Sequence, residues 1–160
     1  MNPESPTPAP ASVDEITSTL KELIRTCRDG ENGFRTAAAD IQDPNLKHLF
    51  ESYSQQRSEF ASELQEELQR HAEEPVDSGH ASATLQRTLM GVEATLTGRD
   101  EGTIISECER GEDQAVEAYE TALRTMLPDV VRSLIERQFL RLREAHDQIR
   151  SLQRAYERHS

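Results

Sequence analysis

The stretch LIRTCRDGENGFRTAAADIQDPNLKHLF, residues 23–50, decides the fold class of this chain. Apolar or small residues recur in it at the three- and four-residue spacing of an α-helix until Asp43-Pro44, after which a second apolar stripe begins. Aspartate before proline is a typical helix start, because aspartate caps the helix and proline needs no hydrogen-bond acceptor at the first position. The stretch therefore predicts two long helices joined by a tight turn.

Outside this stretch, the sequence extends the pattern to four long helices. The first stripe begins after Ser12, which is predicted to form a capping box with Glu15, and the second stripe runs to Leu68. Asp100 is the predicted cap of a third helix, and the break at 127–129 separates it from a fourth helix that runs to the C-terminus. We expect each helix to have about 27 to 29 residues, so that the four rods pack side by side.

A long connection is predicted between the second and third helices. Residues 73–79 are rich in turn-forming residues, and a shorter apolar stripe over residues 85–96 predicts an additional helix. Two helical hairpins joined by one long crossover are the ferritin-like topology. The sequence therefore predicts an all-α, ferritin-like antiparallel four-helix bundle over residues 13–158, preceded by a flexible Pro-rich arm at residues 1–12.

Charge and composition exclude several classes of partner. The net charge is -12 and the pI is near 4.8, so we expect neither nucleic acid nor an anionic membrane surface as a partner. Residues 1–12 lack the basic and apolar parts of a secretion signal, which predicts a cytoplasmic protein. Cys27 and Cys108 fall on apolar stripes, as reduced core thiols would. The amphipathic crossover helix favours a homodimer or larger assembly.

Ionisable residues interrupt the apolar stripes at several points. Glu31 and Glu112 occupy inward positions of the first and third helices, and Glu59, Glu109 and His146 lie on the adjoining edges. Buried carboxylates cost several kcal/mol each unless they are paired, protonated or bound to a cation. Because carboxylates with an imidazole suit iron or manganese, these five residues are candidate metal ligands.

The depth of these residues in the bundle follows from counting along antiparallel neighbours. Residues equally far from a short turn lie at the same level, which places Glu31 level with Gln56 and Glu59 on the second helix. The same count places Glu112 level with Arg143 and His146. Polar groups from all four helices are thus predicted to meet near mid-depth.

Four segments of the chain together resemble a family of uncharacterised bacterial ferritin-like four-helix-bundle proteins. They are LIRTCRDGENGFRTAAADI (23–41), SQQRSEFASEL (54–64), ECERGEDQAVEAYETAL (107–123) and EAHDQIRSL (144–152). The resemblance spans about residues 13–155 and implies a ferritin-like bundle in a small cytosolic protein. It implies no particular reaction.

The broader ferritin-like group builds its di-iron site from single glutamates on two helices and a Glu-x-x-His pair on each of the other two. Glu31 and Glu112 match the single glutamates. The second helix offers Gln56-x-x-Glu59 and the fourth offers Arg143-x-x-His146, and the chain contains no Glu-x-x-His. The di-iron motif is incomplete, so ferroxidase-type activity is not predicted.

Two functional hypotheses follow from the sequence. The first is a ferritin-like protein that binds iron or manganese and takes part in iron or oxidative-stress handling. The alternative is a non-catalytic structural or interaction protein with a metal-free polar core layer, in which Arg143 pairs with Glu109 or Glu112.

Overall fold

The computed structural model describes residues 10–71 and 100–159, and these ranges form α-helices and no β-strand. The helices are α1 (Val13–Asp40), α2 (Pro44–His71), α3 (Glu101–Leu123) and α4 (Asp129–His159). The predicted all-α fold with these helices is confirmed. None of the four is long and apolar enough to cross a membrane. The predicted loop at 73–79, the crossover helix at 85–96 and residues 1–9 of the predicted arm lie outside the described residues.

Three of the four helices begin at the predicted capping residues. Ser12 Oγ accepts a hydrogen bond from the backbone N–H of Glu15 at 3.1 Å, and the Glu15 carboxylate accepts one in return from the Ser12 N–H at 3.5 Å. Asp43 and Asp100 each accept backbone hydrogen bonds from the first turn of their own helix, at 2.8 and 2.7 Å. Side-chain oxygens thus bind N–H groups that have no partner within the helix.

The third and fourth helices differ in length from the prediction. The stripe of α3 predicts a helix that continues to Met126, but α3 ends at Leu123 after 23 residues, whereas α4 has 31. The guanidinium of Arg132 donates hydrogen bonds to the backbone carbonyls of Leu123 and Thr125, at 2.8 and 3.0 Å. Carbonyls in the last turn of a helix and just after it lack an N–H donor from the helix itself, and here an arginine from α4 supplies the donor.

The helices form two antiparallel hairpins. A turn at residues 41–43 joins α1 to α2, which pack along each other. In the second hairpin, Gln153 donates a hydrogen bond to Ser106, and Tyr119 donates one to Gln138. Residue numbers therefore increase along α3 as those of the contacting residues in α4 decrease, which shows that the two helices are antiparallel. Helix α1 also packs on α3, and α2 approaches α4 less closely.

The core consists of two hydrophobic clusters stacked along the bundle. The first contains Cys27, Phe60 and Tyr119, and the second contains Phe34 and Phe50. Every helix contributes to both clusters. A side chain that lies between these two clusters is therefore covered by core residues on both sides along the bundle axis.

Candidate functional site

A buried ion pair joins α2 to α3 between the two hydrophobic clusters. Arg57 is 0% exposed and Glu112 is 2% exposed. Arg57 Nη1 donates to Glu112 Oε1 and Nη2 donates to Oε2, both at 2.6 Å. Two parallel hydrogen bonds match the planar guanidinium to the planar carboxylate, which is the strongest arrangement for such a pair. The bundle centre thus holds one cation and one anion that neutralise each other.

Residues from α1 and α2 shape the space around the guanidinium. The centre of the Arg57 guanidinium lies 5.4 Å from the centroid of the Phe34 ring, within the range of a cation–π contact. Arg57 Nε donates to Gln56 Oε1 at 3.2 Å. A Cβ added at Gly30 would lie 3.3 Å from Arg57 Nη1 and 3.4 Å from Cγ. The absence of a side chain at Gly30 therefore gives Arg57 its room.

The electrostatics of the pair keep Arg57 charged. Burial lowers the pKa of Arg57, but the charge of Glu112 and its hydrogen bonds outweigh that effect, so the pKa is raised above its ordinary value. A carboxylate at the centre of a bundle needs a positive partner, and here the chain supplies one from its own α2.

A second group of buried polar side chains connects the four described helices next to the ion pair, on the side of the cluster that contains Phe60. The Tyr119 hydroxyl donates to Gln138 Oε1 at 2.7 Å, and Gln138 Nε2 donates to the Phe60 carbonyl at 3.2 Å and to Glu63 at 3.0 Å. Cys27 Sγ lies 3.2 Å from the Tyr119 oxygen, and because the hydroxyl hydrogen of Tyr119 already points to Gln138 Oε1, the thiol is the donor in this contact. Burial raises the pKa of Cys27 to about 11, so the thiol stays protonated at neutral pH.

Two predicted ligands on the first hairpin lie away from the centre. Glu31 is partly buried on the flank of α1, where Arg28 and Arg35 of the same helix each bind its carboxylate at 2.8 Å. Its carbonyl accepts from Ser54 at 2.9 Å, within two residues of the predicted level. Glu59 is exposed to solvent. The predicted level is right for Glu31, but neither carboxylate turns toward Glu112.

Two predicted ligands on the second hairpin, Glu109 and His146, are also not brought together with Glu112. Glu109 is partly exposed on α3. His146 Nε2 lies 2.6 Å from Asp113 Oδ1 and Nδ1 lies 3.2 Å from Asp147 Oδ1. The predicted level is again right, because Asp113 is the neighbour of Glu112, but Asp113 is exposed and points away from the core.

The positions of these side chains do not fit a ferritin-like metal centre. Within residues 10–71 and 100–159, no group of three or more His, Cys, Asp or Glu is placed to hold a metal ion. Of the five predicted ligands, Glu112 alone reaches the bundle centre, and both of its oxygens accept hydrogen bonds from Arg57. A metal at Glu112 would have to displace this guanidinium.

The residue that sequence reasoning missed is Arg57. Tyr53 and Phe60 are seven residues apart on the stripe of α2, so both Gln56 and Arg57 satisfy the helical spacing between them. Arg143, predicted to pair with Glu109 or Glu112, is exposed, with its guanidinium 5.8 Å from the Phe139 ring centroid. An arginine does bind Glu112, but it comes from α2.

The antiparallel helices and their polar central layer define a ferritin-like four-helix bundle. A crystal structure of a two-domain protein from Anabaena variabilis ATCC 29413, which contains DJ-1/ThiJ/PfpI-like and ferritin-like domains, matches with a TM-score of 0.77 at 17% identity. The match covers 92% of this chain and 41% of that one, and at this identity it shows the fold alone.

Sequence comparison then assigns the family. Residues 15–125 match the family described as Domain of unknown function (DUF2383), and the chain belongs to that family. No curated protein matches the chain in sequence. The predicted membership of an uncharacterised ferritin-like family is confirmed.

Proposed function

We propose that this protein is a ferritin-like bundle in which an internal arginine takes the place of the central metal, and that it acts as a non-catalytic structural or interaction domain. The observation that carries the proposal is the bidentate Arg57–Glu112 pair between the two core clusters. A guanidinium is permanently charged and cannot be lost to solution, so it neutralises Glu112 under all conditions in which the bundle is folded.

Contacts around Arg57 support a fixed position for this side chain. Gly30 leaves space for it, Phe34 faces its guanidinium and Gln56 accepts from its Nε. Each contact would be weakened if the guanidinium moved aside for a metal ion. The pair also links α2 to α3, which belong to different hairpins, and a buried pair of this kind fixes how the hairpins align.

The iron or manganese hypothesis makes a different demand on the same residues. It requires Arg57 to leave Glu112 and at least two further ligands to turn inward. Glu31 and His146 would then have to leave the arginine and aspartate partners that they contact. A role in iron or oxidative-stress handling depends on this hypothesis.

Elemental analysis tests the proposal directly. The protein is produced in medium supplemented with iron and manganese, purified without chelator and analysed by mass spectrometry for bound metals. We expect far less than one metal per chain. Near-stoichiometric iron or manganese that is lost in Glu112→Ala but kept in Glu117→Ala would contradict the proposal, since Glu117 is an exposed carboxylate on the same helix.

A further inference from the structure

The outward face of α4 carries an exposed leucine surrounded by charges. Leu140 is 67% exposed, in a bundle whose core already contains its neighbour Leu142. Four charged residues flank it, and all four are exposed: Glu136, Arg137, Arg143 and Glu144. We call these four residues with Leu140 the α4 patch.

Charges in the α4 patch are arranged so that the patch complements itself. Arg137 and Glu144 lie on one side of Leu140, three residues before it and four after it. Glu136 and Arg143 lie on the other side, four residues before it and three after it. In an antiparallel pair of helices related by a two-fold axis at Leu140, residues equally far before and after the axis face each other.

With this symmetry, each charge on one side meets its opposite. Arg137 of one copy faces Glu144 of the second, and Glu136 faces Arg143, with an offset of one residue, about 1.5 Å along the helix. The two-fold axis repeats each pair, which gives four ion pairs around a contact between the two Leu140 side chains. We propose that the α4 patch is a self-association surface and that its partner is the α4 patch of a second copy of this chain.

The charge distribution of the whole chain favours α4 over other faces. Two copies with a net charge of -12 repel each other. Helix α4 contains seven arginines and five carboxylates, whereas α3 contains one arginine and seven carboxylates. Two α4 helices therefore approach each other with less repulsion than two α3 helices would.

Existing contacts of these side chains are compatible with the proposed pairing. Arg137 lies 3.5 Å from Glu63 and Glu136 lies 3.5 Å from Arg132, in both cases with exposed or partly exposed partners. Exposed ion pairs contribute little to stability, so exchanging or sharing partners costs little. Because one leucine and four peripheral ion pairs form a small interface, we expect a weak dimer that dissociates on dilution and at high salt.

The proposed dimer names a definite partner for the interaction role and rests on that role. Its test is separate from the metal analysis. Sedimentation velocity over a range of protein concentrations measures the monomer–dimer equilibrium, at about 0.1 M salt, where repulsion between the copies is screened beyond about 10 Å. We expect wild type to dimerise at high concentration, Leu140→Ala to weaken the dimer at least fivefold, and Arg137→Glu or Glu144→Arg alone to weaken it more than tenfold.

Charge reversal provides the decisive comparison. Arg137→Glu places like charges opposite Glu144, and Glu144→Arg places like charges opposite Arg137, so each single variant should be monomeric. Mixing the two single variants makes every pair complementary again, and a heterodimer should form with roughly the wild-type affinity. The double variant Arg137→Glu/Glu144→Arg should dimerise with itself.

The matched control is Arg110→Glu, which makes the same change in net charge at an exposed position of α3. It should lower dimerisation much less than Arg137→Glu. A wild-type protein that stays monomeric at about 0.1 M salt, a dimer whose affinity is unchanged by Leu140→Ala, or single variants that fail to associate when mixed would each overturn the proposal. A metal-free monomer would overturn the proposed dimer and support the proposed metal-free centre. A dimer that contains metal at Glu112 would support the dimer and overturn the metal-free centre.

Discussion

Arg57 is the residue on which the interpretation of the bundle centre depends. A buried ion pair adds little net stability compared with apolar residues of the same size, but breaking it leaves a charge in the core. The pair is therefore best examined by removing one partner and then both. The two experiments are expected to differ mainly in the size of the loss of stability.

Arg57→Ala should lower the free energy of unfolding by about 3 to 5 kcal/mol, because Glu112 stays buried without its partner. Arg57→Met combined with Glu112→Leu should lose far less and could exceed wild type, since neither charge is then buried. Urea denaturation followed by circular dichroism gives both values. If Arg57→Ala and the double variant are equally unstable, packing by the arginine stem matters more than the charge.

Gly30 and Gly33 allow a second test of the Arg57 pocket. Glycine inside a helix costs about 0.5 to 1 kcal/mol relative to alanine, and a Cβ at Gly33 would meet no atom within 4 Å. Gly33→Ala should therefore raise the free energy of unfolding by about that amount. In Gly30→Ala the new Cβ crowds the fixed guanidinium, so most or all of this gain should be lost.

Repeating Gly30→Ala in the Arg57→Ala variant separates the gain from removing a helical glycine from the crowding of the guanidinium. There the crowding disappears, and Gly30→Ala should stabilise the protein about as much as Gly33→Ala does. The difference between the two glycines in the wild-type protein arises because Gly30 faces one side chain of α2, whereas Gly33 faces open space.

At the residue scale, the sequence identified Glu112 but not its partner. The helical period marks which positions face inward to within one residue, and between Tyr53 and Phe60 that margin includes both Gln56 and Arg57. An arginine is tolerated in the core only when an acceptor, here a carboxylate from another helix, binds it. That condition depends on tertiary packing, which no single stripe encodes.

At the scale of helix pairs, His146 links α4 to α3 through Asp113. Burial lowers the pKa of His146, but hydrogen bonds and charges from Asp113 and Asp147 outweigh it, so the pKa is raised above its ordinary value of about 6.5. A histidine whose pKa is raised in the folded state stabilises the protein when it is protonated, and this stabilisation is complete at pH values below the pKa of the unfolded state. This stabilisation is lost as pH rises through the folded-state value.

We therefore expect the contribution of the His146–Asp113 contact to stability to be largest below about pH 6 and to fall as pH rises above the ordinary histidine pKa. Thermal melts of wild type and Asp113→Asn at several pH values measure it as the difference between the two proteins. His48→Gln serves as the control, since His48 is an exposed histidine on α2. A wild-type advantage that grows with pH would contradict the raised pKa.

The fold of the four described helices was predictable because several local signals agree. Capping residues mark where α1, α2 and α3 begin, and the apolar stripes continue through each helix. The end of α3 was not predictable, because Arg132 of α4 binds its last carbonyls and the apolar stripe gives no sign of that contact. Levels along each hairpin were predictable from chain counting alone.

On the scale of the whole molecule, the net charge of -12 opposes folding through mutual repulsion. Salt screens interactions between exposed charges beyond about 10 Å at 0.1 M, while the Arg57–Glu112 pair is shielded from solvent and is screened much less. Raising sodium chloride from about 0.01 to 0.3 M should therefore raise the melting temperature.

Salt acts on a dimer held by the α4 patch in two ways, because it screens the repulsion between two copies of net charge -12 as well as the ion pairs between them, so dimerisation and melting temperature are measured separately. Melting temperature is recorded at low protein concentration, where the monomer dominates, and sedimentation at high concentration. Near the pI of about 4.8 the net charge vanishes, and the stabilisation by salt should disappear with it. A melting temperature that falls with salt at neutral pH would mean that the exposed ion pairs along the helices outweigh the net repulsion.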